Sequence, residues 1–207
     1  MPLTPVDFDR RVVPGARAGL MSGSGTVSEP LRAELFLPSG EVVASGWRWE
    51  GIGFTEIAPP GRYPVLLYSL LPEGGESWAP DPLAVRLVIR DAPVVSWSMA
   101  LLPGQDPAEL SEDGFFGFAV DGGEGNLIDA QCLRELHDTG TYLEFVDDAK
   151  IDLDFGDRLA SSEDDEGRET VGFKIGSDGV YPTWIGRTED GELACYLIEL
   201  LLFDNRD

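Results

Sequence analysis

The chain is 207 residues long and carries a formal net charge of −23, with 38 acidic against 15 basic side chains; such a surface repels phosphate backbones and excludes direct nucleic-acid binding. Counted with glycine and without tyrosine, the apolar fraction is roughly 53%, enough for a folded core and too much for wholesale disorder. The 25 glycines and 15 prolines imply many turns and many short strands, and the length fits a single domain over residues 1–207.

The first twenty residues mix acids, arginines and prolines without an apolar run, so no secretory leader is expected. Leu31 to Phe36 and Glu41 to Ala44 flank Pro38-Ser39-Gly40 and read as a compact hairpin. Tyr63 to Leu71 is bounded by Pro59-Pro60-Gly61 and Pro72 and reads as a strand. Ala84 to Arg90 alternates Val85, Leu87 and Ile89 with mostly polar positions, the pattern of a strand with one buried face. Val94 to Leu102, after the Asp91-Ala92-Pro93 break, is its expected antiparallel partner. A turn of helix is expected at Pro107. Further strands are expected over Phe115 to Val120, Thr170 to Ile175, Tyr181 to Ile185 and Glu192 to Phe203, the last two joined by a hairpin loop ending in Gly191.

Helix is scarce and is expected below about one residue in five. The best candidate runs from Ala130 to Asp138, with Asp129 as the cap of its orphan amides and Gly140 as its stop. Asp147 to Leu159 is ambiguous, and the acidic run Ser161 to Glu169 reads as an exposed loop held open by repulsion between like charges. These elements predict a mainly β, single-domain fold, an antiparallel sandwich or curled sheet with one short helix packed on it.

Catalytic signatures are sparse. A single histidine, His137, excludes two-histidine zinc sites, and its place in the last helical turn suits the helix dipole. The glycines near Gly51 and Gly122 lack the spacing of a dinucleotide or phosphate loop, so no organic cofactor is expected. Cys132 and Cys195 sit in apolar surroundings and form no disulfide framework, which fits reduced thiols in the cytoplasm. No apolar segment reaches the roughly 18 residues of a membrane-spanning helix, so no membrane partner is expected.

Four stretches are distinctive: Gly61-Arg-Tyr-Pro-Val65, Trp97-Ser-Met-Ala100, Phe118 to Asp129 and Gly176 to Gly186; within and beside them lie a Leu37-Pro-Ser-Gly40 turn, the Gly123, Gly125 and Asp129 segment, and Asp178-Gly-Val-Tyr-Pro182. In this serial order, over roughly residues 31 to 203, they resemble the bacterial family named domain of unknown function 4241. The chain departs from that pattern at Ser45-Gly-Trp-Arg-Trp49, where the resemblance implies a Cys-Asp-Pro-like turn. The family name brings no activity with it.

All these motifs can serve as turn and cap residues. The sharper alternative is that Asp121, Asp129 and Asp178 converge on a hard cation, calcium or magnesium. Three function classes follow. The leading one is an acidic cytoplasmic protein that sequesters a basic protein partner, as an immunity or antitoxin-like factor does, with tryptophans to anchor the interface. The second is a cation-dependent hydrolase or ligand-binding domain built on the Asp-Gly segments. The third is a DNA mimic, whose acids would form a stripe spaced like phosphates.

Overall fold

Alternation along the strands sorts the side chains of this protein into layers. The computed structural model describes residues 2–20, 23–47, 51–73, 80–154 and 157–200. Strand accounts for 45% and helix for 15%, so the chain is mainly β, as its turn-rich composition predicts. The strands are β1 (Arg17–Leu20), β2 (Gly23–Val27), β3 (Leu31–Leu37), β4 (Val42–Gly46), β5 (Gly61–Pro72), β6 (Asp81–Val88), β7 (Ser96–Met99), β8 (Gly117–Val120), β9 (Glu124–Asp129), β10 (Leu159–Glu163), β11 (Glu169–Lys174), β12 (Gly179–Arg187) and β13 (Leu193–Glu199). The helices are α1 (Phe8–Arg11), α2 (Ala130–Thr139) and α3 (Tyr142–Asp154). No helix among the described residues is long and apolar enough to cross a membrane.

The strands form two antiparallel sheets. The larger follows the order β1-β2-β5-β6-β13-β12-β7, with β3 also on β5 and β8 also on β12; the smaller is β10-β11-β9-β4. Their facing sides share one core: Leu35, Leu67, Leu87 and Ile198 from the larger sheet meet Val42, Leu127, Val171 and Phe173 from the smaller. The next residues along the small sheet, Val43 and Ile128, point the other way and pack under Leu133 and Leu136 of α2 and Phe145 of α3. On the far side of the larger sheet, Val6, Phe8 and Val12 of the N-terminal segment cover Leu83, Trp184 and Leu197. Phe8 is fully buried, and burying one such side chain contributes about 2–3 kcal/mol.

Four sequence expectations are corrected. The segments around Pro38-Ser39-Gly40 are strands, but β3 pairs with β5 and β4 with β9. The turn is therefore a corner that carries the chain from one sheet to the other. The strand after Asp91-Ala92-Pro93 also exists as β7, but it pairs with β12, while β6 lies between β5 and β13. Finally, the acidic run is not an open loop. Its ends are β10 and the start of β11, paired from Leu159↔Phe173 to Glu163↔Glu169. The helical content is also larger than one short helix, because the ambiguous region resolves into α3 followed by β10.

Other expectations hold. α2 begins after its cap Asp129 and closes at Gly140, which is left-handed at φ 73°. A 3₁₀ turn at Pro107–Glu109 is capped by Asp106. β12 and β13 form the expected hairpin.

Candidate functional site

Asp129 ends β9 and is completely buried. One carboxylate oxygen accepts from the Gln131 amide at 2.8 Å and the Ser39 hydroxyl at 2.7 Å; the other accepts from the amides of Ser39 at 3.0 Å and Gly40 at 3.1 Å. Four donors thus occupy the lone pairs of a carboxylate. The residue that caps α2 also fastens the corner between the two sheets, which explains how a buried charge is tolerated. Gly40 takes a left-handed φ of 77°, and a Cβ there would lie 1.8 Å from the Ala58 carbonyl oxygen.

Asp178 lies at the other end of β9, in the exposed turn before β12. Its Oδ1 accepts from the amides of Gly122 at 2.7 Å and Gly123 at 3.0 Å. Asp121 is exposed beside that turn. The six steps from Gly123 to Asp129 run along β9 and span about 20 Å, so the structure places Asp121 and Asp178 at one end of β9 and Asp129 at the other. Among the described residues no group of three or more His, Cys, Asp or Glu side chains is gathered as a metal site.

Between these ends, β9 is buried at every position although half of it is polar. Glu124 explains its own burial. Lys174, its cross-strand neighbour on β11, and Lys150 of α3, at 3.6 Å, both pair with it. These are the only two lysines of the chain. Asn126 donates to the Ser45 carbonyl at 3.2 Å. On β11, Glu169 accepts a two-pronged ion pair from Arg62 of β5 and a bond from the Phe36 amide at 3.0 Å. It is a second tie between the sheets.

The feature that sequence reasoning did not assemble is an acidic groove of about 460 Å³ between α3 and the β10–β11 hairpin. Glu144 and Asp148 face it from α3, and Glu163, Asp164, Asp165 and Glu166 from the hairpin. Arg168 lies at its base, bonded to Asp164 at 2.6 Å and Glu166 at 3.0 Å. Burial alone would lower the Arg168 pKa, but the hydrogen bond and charge of Asp164 raise it overall, so this cation stays charged and committed. Glu144, Asp148, Glu163 and Asp165 are exposed and form no ion pair among the described residues. One local signal for the groove was available: Glu144 and Asp148 are like charges at i and i+4, an arrangement that destabilises a helix unless something else uses it.

The two cysteines are buried and free. Burial, with the charges of Asp129 and Glu135 adding to it, pushes Cys132 up to about 11. Burial likewise pushes Cys195 up to about 11. Neither is an activated nucleophile. His137 stacks on Tyr142 with ring centroids 4.4 Å apart, a packing role at the end of α2. Trp47, in the stretch that departs from the family pattern, is buried under α3 beside Val146 and Leu153; Arg48 and Trp49 lie outside the described residues.

Fold and site together define a two-sheet antiparallel β protein with helices over one face, whose motif aspartates act as hydrogen-bond latches and which carries an acidic groove beside α3. The chain belongs to the family described as Protein of unknown function (DUF4241), whose model matches residues 35–198, from within β3 to within β13. The motif order read from the sequence resembles this same family. No curated protein and no solved structure matches the chain.

Proposed function

We propose that this chain is a bacterial cytoplasmic binding protein that captures a basic protein in the groove between α3 and the β10–β11 hairpin, in the manner of an immunity or antitoxin factor. The observation that carries this reading is the set of four exposed carboxylates, Glu144, Asp148, Glu163 and Asp165, around a groove whose one arginine is already neutralised. Its volume of about 460 Å³ accommodates lysine or arginine side chains of a partner. The net charge of −23 adds a long-range field that speeds the approach of a cationic surface. Two buried thiols with raised pKa values fit a reducing compartment.

The test compares the wild-type chain with a quadruple variant, Glu144→Gln, Asp148→Asn, Glu163→Gln and Asp165→Asn, and with a control that neutralises four exposed acids elsewhere: Asp7, Glu29, Glu112 and Asp113. Each serves as bait in native host extract at low and at high salt. One basic protein retained at low salt, released as the Debye length shortens, lost by the groove variant and kept by the control is the expected result. Capture that is indifferent to salt, or equal for groove variant and wild type, refutes it. Capture lost equally by both variants points to a diffuse field, as in a DNA mimic.

A further inference from the structure

A second cleft, independent of the acidic groove, opens between the sheets where β4, β8, β12 and the segments 51–54 and 100–105 approach one another. It measures about 200 Å³. Phe54, Leu102, Phe116 and Phe118 form its apolar walls. Two of these rings are backed by others: Phe54 stacks on Tyr196 at 5.9 Å, and Phe118 lies against Tyr181 at 6.2 Å. The walls are therefore set before any ligand arrives.

Two hydroxyls interrupt this lining. Thr183 is 2% exposed. It stands on β12 midway between Tyr181 and Ile185, both members of the core between the sheets, so strand alternation points its side chain into the same space. Its Oγ1 is buried and has no hydrogen-bond partner among the described residues. The Ser45 hydroxyl, on a residue 5% exposed, reaches Asn126 Oδ1 alone among the described residues, at 3.4 Å and near the limit of a hydrogen bond. Valine has the shape of threonine without the hydroxyl, and at a buried strand position it removes the cost of an orphaned polar atom. A threonine there is accounted for if its hydroxyl has a partner that enters from outside the chain.

From this geometry we propose that the cleft is a binding site for a small neutral aromatic molecule bearing one hydroxyl or carbonyl group, with the ring between the phenylalanines and the polar group hydrogen-bonded to Thr183. Size sets the ring count, since an apolar cavity of about 150 Å³ holds one benzene. Charge sets the neutrality. None of the lining residues is charged, an anion is repelled by the acidic chain as a whole, and a cation entering would lose its water without gaining a carboxylate. The threonine hydroxyl both donates and accepts, so either a hydroxyl or a carbonyl satisfies it.

Phenol, toluene and benzoate titrated into isotope-labelled protein, followed by amide resonances, test the site. Phenol is expected to give saturable shifts confined to Ala44, Ser45, Ala100, Phe118, Thr183 and their neighbours. Toluene should bind about five-fold more weakly, the worth of one neutral hydrogen bond, and benzoate should not bind. The variant Thr183→Val is expected to fold and to lose the phenol preference, binding phenol no more tightly than toluene because the phenol hydroxyl then has no partner, while Ala100→Leu, which fills the cleft, binds neither; Ala119→Leu at the exposed rim serves if that core variant does not fold. Absence of saturable phenol shifts, or a phenol preference that survives in Thr183→Val, overturns the proposal and assigns the hydroxyl to a buried water instead.

Discussion

Replacing Asp129 by alanine separates a local role from a global one. If the carboxylate only capped α2, its loss would cost about 1 kcal/mol, the usual worth of an N-cap. The structure sets a larger figure. Beyond the Gln131 amide, the carboxylate takes the Ser39 hydroxyl and the amides of Ser39 and Gly40. The Gly40 amide is buried, and a buried donor stripped of its acceptor costs about 1–3 kcal/mol, while the half-buried Ser39 groups recover part of theirs from water. The expected total for Asp129→Ala is about 3–5 kcal/mol, a large share of the stability of a typical domain. Asp129→Asn keeps one oxygen but turns an NH₂ group toward donors, so it should lose about 2–3 kcal/mol rather than be silent. Equilibrium unfolding in urea, read by tryptophan fluorescence, measures both. A loss of about 1 kcal/mol or less for the alanine variant, with an unchanged denaturant slope, would refute the latch and leave only the cap.

The corner itself is equally sensitive: Gly40→Ala combines a left-handed φ with a Cβ 1.8 Å from the Ala58 oxygen and should cost more than about 3 kcal/mol, whereas Gly191→Ala, left-handed with open space around it, should cost about 1–2 kcal/mol in the same assay. At the other end of β9, Asp178→Asn should change stability by less than about 1 kcal/mol, because an amide oxygen still accepts from Gly122 and Gly123; melts with chelator and with calcium should superimpose, since Asp121, Asp129 and Asp178 are not gathered at one point, and a calcium-dependent rise would contradict that. The thiols give a pH dependence. Cys195 rises from 9.0 to about 11 on burial, so its contribution is complete below about pH 9, where folded and unfolded chains both hold the proton, and falls away between pH 9 and 11 as only the unfolded chain releases it, about 2–3 kcal/mol in all. A thiol-specific reagent at mildly alkaline pH should therefore label Cys132 and Cys195 only after denaturant is added.

Local chemistry was legible in the sequence, and pairing was not. The Asp129 cap and the Gly140 stop are ten residues of helix apart, and helix ends are decided by backbone groups within one turn. Which strand lies beside which is decided by contacts across the whole chain. The Pro38-Ser39-Gly40 turn looks like a hairpin because a hairpin and a sheet-to-sheet corner need the same sharp reversal. What separates them is Asp129, ninety positions away from Ser39. β9 was hidden for a related reason. Glu-Gly-Asn-Leu-Ile-Asp has three polar side chains in six and no alternation to mark a strand, yet it is a central strand, because Lys150, Lys174, Ser45 and the corner amides satisfy its polar groups from elsewhere in the chain.

The family motifs acquire a physical meaning when taken in pairs. The Leu37-Pro-Ser-Gly40 corner is held by Asp129, and the Gly122-Gly123 turn by Asp178. The Gly61-Arg-Tyr-Pro-Val65 strand is tied through Arg62 to Glu169 of the small sheet. Each motif thus contributes one half of a non-local bond, and the bonds lie at the two ends of β9 and across the gap between the sheets. Motifs that serve as fasteners constrain the scaffold and leave the surfaces they do not touch free to vary. The acidic groove on α3 and the β10–β11 hairpin, and the uncharged cleft beneath Thr183, contain none of these fastening residues, although the cleft takes Ala100, Phe118, Ala119 and Thr183 from the distinctive stretches. Specificity is therefore to be sought on those two surfaces, and the fasteners are where substitutions should unfold the protein before they alter what it binds.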